Sequence, residues 1–145
     1  MAEHKLIAEL MQSGEVIYTT SGVSMYPMLR NRCDVVHIKK CDRPLKRYDL
    51  PLYVRGDALV LHRILKVKND HYIICGDNCI NIEKIPFENV YGYVDEFWRG
   101  KRHYKSTDLR YRIYVHIWCD FFYIRRAILI LKLKAKNAAK KLSAK

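Results

Sequence analysis

The 145-residue chain is half apolar, which matches one small β-rich globular domain with one sizeable core. Its net charge of +12 is unevenly placed: residues 1–98 hold 13 Lys/Arg against 13 Asp/Glu, and residues 99–145 hold 14 against 2. The chain therefore reads as a neutral body, residues 1–98, followed by a basic amphipathic appendage, residues 99–145, suited to an anionic partner such as a phospholipid surface or nucleic acid.

In chain order, residues 2–13 predict a short helix with Leu6, Ile7, Leu10 and Met11 on one face, ended by Gly14. Val16 to Thr20 predicts a strand that runs into a turn around Ser24, and Asp34 to Lys39 a second strand. The polar, Pro-containing segment from Cys41 to Asp49 is a loop. Leu50 to Arg55 and Ala58 to Lys68 flank Gly56-Asp57 as a hairpin, which places His62 on a long central strand. Asn69-Asp70 turns the chain into a strand from His71 to Cys75, and Val90 to Trp98 closes the sheet. The fold class expected is mainly β, a small coiled sheet with a short N-terminal helix and a basic, apolar, helical C-terminal segment.

Five cysteines, an odd number, follow an acidic N-terminus that lacks the pattern of a signal peptide, so reduced thiols are expected. Cys75 and Cys79 have three residues between them, a spacing that fits neither a zinc knuckle nor a redox pair. Cys33, His37 and Cys41 would converge only on a helix, and the Val-rich alternation there predicts a strand instead. No metal and no cofactor are expected.

The segment SGVSMYPML, residues 21–29, sets one serine in a tight turn. Ser24 lies two residues after Gly22 and three before Pro27, an arrangement that exposes a hydroxyl where a strand ends. A hydroxyl needs a base to become a nucleophile, and the apolar run VLHRILKV at 60–67 carries His62. The element CGDN at 75–78 adds Asp77. Taken singly, each has an ordinary structural reading: a turn cap, a satisfied strand histidine, a turn aspartate.

Taken in order, these pieces resemble the superfamily of signal peptidase I and the LexA-type self-cleaving repressors. Ser21-Gly22-x-Ser24-Met25 is similar to the nucleophile turn of both branches, and Pro27 resembles the signal peptidase branch. His62-Arg63 stands where the bacterial enzymes and the repressors carry a lysine base. A histidine there, with a downstream Gly-Asp-Asn like Gly76-Asp77-Asn78, resembles the endoplasmic-reticulum, archaeal and sporulation-type signal peptidases. The resemblance spans residues 15–96. It implies a serine endopeptidase in which Ser24 attacks, His62 acts as general base and Asp77 orients the imidazole, with backbone N–H groups of Val23 and Ser24 as the oxyanion hole. An ordinary histidine titrates near ~6.5, so activity is expected to rise between about pH 6 and 8. The family often has a further Asp shortly after the Gly-Asp-Asn element. Here the sequence reads CINIEK, with Asn81 and Glu83, so that acid is missing or replaced.

The implied substrate is an extended peptide or precursor protein, such as a leader or signal sequence with small residues at the cut, bound as an added strand beside Ser24. Family members carry an N-terminal anchor that this sequence does not show, which points to a specialised role and to a cytoplasmic or peripheral-membrane location. The stretch from Ile113 to Leu131 is mostly apolar. Its ten Ile/Leu/Phe/Val residues favour bilayer insertion by roughly 3–6 kcal/mol, against about 2.5–3.5 each for Asp120, Arg125 and Arg126, so spanning is disfavoured. Two pictures remain: an interfacial segment, with Trp118, Phe121, Phe122 and Tyr123 at headgroup level and the tail from Lys132 to Lys145 on anionic lipid, or a further strand from Arg112 to Trp118 packed on the body. Two other classes are compatible with the residues, an inactive relative that binds peptides or a partner protein and a basic module associated with nucleic acid. No motif for reading bases is present, so nucleic acid is not the expected partner.

Overall fold

The computed structural model describes residues 2–143; Met1 and the last two residues of the basic tail, Ala144 and Lys145, lie outside the described residues. The fold is mainly β, with a short N-terminal helix, a six-stranded sheet curled into a half-barrel, a three-stranded sheet beside it and two C-terminal helices. The first helix, α1 (Ala2–Ser13), buries Leu10 completely and stops where the Gly14 N–H bonds the Leu10 carbonyl at 3.0 Å. Gly14 has φ +84°, a left-handed conformation that favours glycine at a helix end.

Strands β1 (Glu15–Thr19), β2 (Asp34–Lys40), β3 (Pro51–Arg55), β4 (Ala58–Leu61) and β8 (Val90–Arg99) lie in the order β1-β2-β8-β3-β4, and β9 (Arg102–Lys105) pairs with β8. The second sheet has β5 (Arg63–Val67), β6 (His71–Cys75) and β7 (Glu83–Pro86) in that order. Alternation along β2 sends Val36 and Ile38 into one apolar cluster with Leu10, Val16, Leu52 and Phe97. Tyr53, Ile64, Tyr72, Ile74 and Ile85 form a second cluster between the sheets.

The long strand expected from Ala58 to Lys68 is two strands. The chain leaves the large sheet after Leu61 and joins the small one at Arg63, so His62 stands at the step between them. Apolar residues on both sides of His62 hide that step in sequence, because each half has a different sheet to cover. Strands β7 and β9 were not expected; both are four residues long, and β7 has little β-branched content.

The C-terminal segment is helical throughout its apolar part, in α2 (Leu109–Asp120) and α3 (Phe122–Ser143), which overturns the strand reading of Arg112 to Trp118. Val115 and Cys119 of α2 and Phe122 and Arg125 of α3 are buried against the body. Trp118 donates to the Asp77 carbonyl at 2.8 Å and Phe122 is enclosed, so of the four aromatics assigned to a lipid interface only Phe121 and Tyr123 are exposed. The hairpin of β8 and β9 straddles residue 98, joining the body to the appendage by backbone pairing. Among the described residues no helix is long and apolar enough to cross a membrane, and all five cysteines are free thiols.

Candidate active site

Ser24 sits in the excursion between β1 and β2, and its position is set at both ends of that loop. At the base, Thr20 bonds the Asp34 carbonyl through its N–H and its hydroxyl, both at 3.0 Å, and the Arg32 N–H returns to the Thr20 carbonyl at 2.8 Å. The Asp34 carboxylate is fully buried and accepts from the Arg30 N–H at 2.7 Å and from the Arg30 guanidinium at 2.6 Å. Burial would raise its pKa; the bonds from Arg30 outweigh burial and hold it below the usual carboxylate range. At the tip, Gly22 takes φ +90°, and Met25, Met28 and Leu29 plunge into the core. Three apolar anchors directly after Ser24 keep the serine half-buried at the surface of that core.

A cleft of about 330 Å³ opens between the two free sheet edges, β1 on one side and β4 on the other. Thr20, Gly22 and Ser24 line one wall, and Leu59, Leu61 and His62 the other. The point where a Cβ on Gly76 would stand is 2.7 Å from the Ser24 carbonyl oxygen and 3.0 Å from His62 Nε2. The Ser24 turn and the imidazole therefore converge on glycine, and any side chain at 76 would enter the space between them.

The imidazole of His62 is buried, with Nδ1 3.0 Å from Glu83 Oε1 and 3.0 Å from the Tyr53 hydroxyl. Tyr53 also reaches Glu83 Oε2 at 3.2 Å, and Arg55 reaches Oε1 at 3.0 Å. An ionised carboxylate only accepts, so the arrangement that satisfies all groups has Nδ1–H donating to Glu83, the Tyr53 hydroxyl donating to the other carboxylate oxygen, and an unprotonated Nε2 facing the cleft. That is the tautomer a general base requires. Burial pushes the His62 pKa below the ordinary histidine value, and the Glu83 charge offsets this only in part. Burial and the same carboxylate push the Tyr53 hydroxyl well up, so it remains a proton donor.

Asp77 does not face His62. Its carboxylate is fully buried and takes both arms of Arg63, from Nε to Oδ1 and from NH2 to Oδ2, each at 2.8 Å. It also accepts from the Tyr114 hydroxyl at 2.9 Å, while Arg125 approaches to 3.9 Å. The assignment of Asp77 as the imidazole's partner is thus corrected: Glu83 holds that place, and Asp77 ties both C-terminal helices to the body. The physical reason is competition. Arg63, adjacent to the histidine and with no access to water, can be buried only beside a carboxylate that it engages through two hydrogen bonds.

The rest of the 76–78 element also acts on the serine turn. The Asn78 N–H donates to the Ser24 carbonyl at 2.7 Å, and its side-chain amide to the Val23 carbonyl at 3.1 Å. The N–H groups of Val23 and Ser24 take no hydrogen-bond partner among the described residues. Sequence reasoning missed Glu83, Tyr53 and the two roles of Gly76 and Asn78. The signal for Glu83 was the acid in CINIEK, shortly after Gly76-Asp77-Asn78. His37, part of the rejected metal grouping, pairs with Glu15 at 3.0 Å on the β1–β2 surface. Neither a family model nor a curated protein matches this chain.

Proposed function

We propose that this chain is a serine endopeptidase of signal-peptidase-like type, acting on extended peptide segments. The observation that carries this reading is the meeting of the Ser24 turn and His62 Nε2 around Gly76, at the floor of a cleft between two unpaired strand edges, with Glu83 behind the imidazole. An extended peptide entering the cleft would pair with β1 and β4 as an added strand, supplying backbone groups that both edges lack. The apolar wall from Leu59 and Leu61 suits side chains on one face of that strand.

In this mechanism His62 Nε2 takes the hydroxyl proton as Ser24 Oγ adds to the scissile carbonyl. The oxyanion forms against the N–H groups of Ser24 and Val23, and Glu83 stabilises the imidazolium through Nδ1. The proton then passes to the departing amine as the C–N bond breaks, leaving an acyl-enzyme. Water, deprotonated by His62, releases the acid and regenerates the serine. Glu83 answers the question left by CINIEK: on this reading it is the replacement for the further acid of the family pattern. No cofactor or metal enters any step.

The test is labelling by a fluorophosphonate, followed by cleavage of a peptide library. Labelling at Ser24 that is lost in Ser24→Ala and His62→Ala supports the proposal. A cleft that binds peptides yet is never labelled and cuts nothing would identify a binding protein instead.

A further inference from the structure

The C-terminal helices carry a second feature that the cleft chemistry does not use. Their inner sides dock on the body around Asp77, through Tyr114, Trp118 and Arg125. Their outer sides expose large apolar residues at three- and four-residue steps: Leu109, Ile113 and Ile117 along α2, Phe121 at the junction, then Ile124, Ile128 and Leu131 along α3. Phe121 is 57% exposed, Ile124 60% and Leu131 66%, values that a folded monomer does not normally repeat along one face. Exposed Arg110, Arg112, Lys132 and Lys134 flank the stripe, and Lys140 and Lys141 occupy the last turn of α3. The one acid within the two helices, Asp120, is held by Arg47 at 2.8 Å and Tyr48 at 2.6 Å, which leaves the field of this face positive.

We propose that this face is a docking surface for an anionic phospholipid bilayer, with α2 and the first half of α3 lying in the interface and Lys132, Lys134 and Lys141 of α3 reaching the headgroups. An apolar stripe rimmed by cations fits a surface that offers hydrocarbon and negative charge together. A second copy of this chain would bring two positive faces against each other, and a nucleic acid would meet the charge but leave the apolar stripe in water. Neither helix is apolar enough to span, so the association is peripheral. Another side of α3, through Leu129, Leu133 and Lys136, lines a groove that reaches His62 and Glu83. On the peptidase reading, which the docking itself does not need, the bound protein holds that groove about one helix diameter, ~10 Å, from the headgroups.

The experiment is flotation of the full chain with vesicles of pure phosphatidylcholine and with vesicles containing about one-third phosphatidylglycerol. The expected result is partition onto the anionic vesicles only. Partition should fall about thirtyfold in the double variant Lys134→Gln/Lys141→Gln. It should be lost in Ile124→Asp/Leu131→Asp, whose changed side chains are exposed and whose thermal unfolding should match the parent chain. Three results would overturn the proposal: no partition onto either vesicle; a dimer by light scattering that the Ile124→Asp/Leu131→Asp variant abolishes, with no lipid binding; or salt-sensitive retention of RNA without vesicle binding. Fluorophosphonate labelling of the same variants in solution reads the cleft separately, so failure of either proposal leaves the other intact.

Discussion

Replacing Glu83 by alanine tests the site most directly, because two partners compete for His62 Nδ1 at the same 3.0 Å distance. With Glu83 present, the carboxylate accepts a hydrogen bond from Nδ1–H and another from the Tyr53 hydroxyl. Without it, the Tyr53 O–H has only Nδ1 to donate to, which moves the imidazole proton to Nε2 and removes the lone pair that must accept from Ser24. A hydrogen bond to a charged group contributes about 1.5–3 kcal/mol, so loss of imidazolium stabilisation alone slows the reaction by roughly 10–150-fold. Adding the tautomer reversal takes the expected loss toward ~10⁴-fold, the scale seen when a triad carboxylate is neutralised elsewhere. The assay is the rate of Ser24 labelling by a fluorophosphonate, with circular dichroism to confirm folding. The double variant Glu83→Ala/Tyr53→Phe removes the donor that enforces the wrong tautomer, so it should label faster than Glu83→Ala alone. Wild-type labelling in Glu83→Ala, or further slowing in the double variant, would refute the assignment.

Other expectations follow from the same geometry. Because burial lowers the His62 pKa, the basic form persists to more acid pH, and the acid limb of the labelling-rate profile should have its midpoint below ~6.5; a midpoint at or above that value contradicts the buried imidazole. The unfolded chain binds this proton more readily than the folded one, so His62 contributes a loss of stability as pH falls from ~6.5 toward the folded pKa, absent in His62→Gln and visible as a difference in acid-unfolding midpoints. Gly76→Ala sets a methyl 2.7 Å from the Ser24 carbonyl oxygen and 3.0 Å from Nε2, and should cut labelling by more than about 100-fold while α2 stays docked, checked by labelling rate and tryptophan fluorescence of Trp118. Asp77→Asn strands the fully buried Arg63 and should destabilise by about 3–5 kcal/mol in urea unfolding; a variant of unchanged stability but slowed labelling would return Asp77 to the imidazole.

The elements that were legible in the sequence are those with a local cause. Gly14 ends α1 because only its own backbone must turn left-handed, and the alternation of β2 sorts Val36 and Ile38 inward without reference to any distant residue. Ser24 could be singled out for the same reason: a glycine before it and a proline after it shape the turn by themselves, and three apolar anchors follow. The charge division near residue 98 is likewise a property of composition.

Partnership was not legible. His62, Arg63, Asp77 and Glu83 form two pairings of opposite charge or hydrogen-bonding need, and sequence spacing does not say which acid meets which base. The fold decides it by stepping from one sheet to the other at His62, which turns adjacent side chains to opposite sides. Arg63 goes inward and claims Asp77 with the C-terminal helices, while His62 faces the cleft, where the register of β6 with β7 delivers Glu83. Residue types and turn chemistry thus established which groups the chain possesses, and strand pairing established which of them touch, because desolvation in the interior tolerates only the pairing that leaves no buried charge alone.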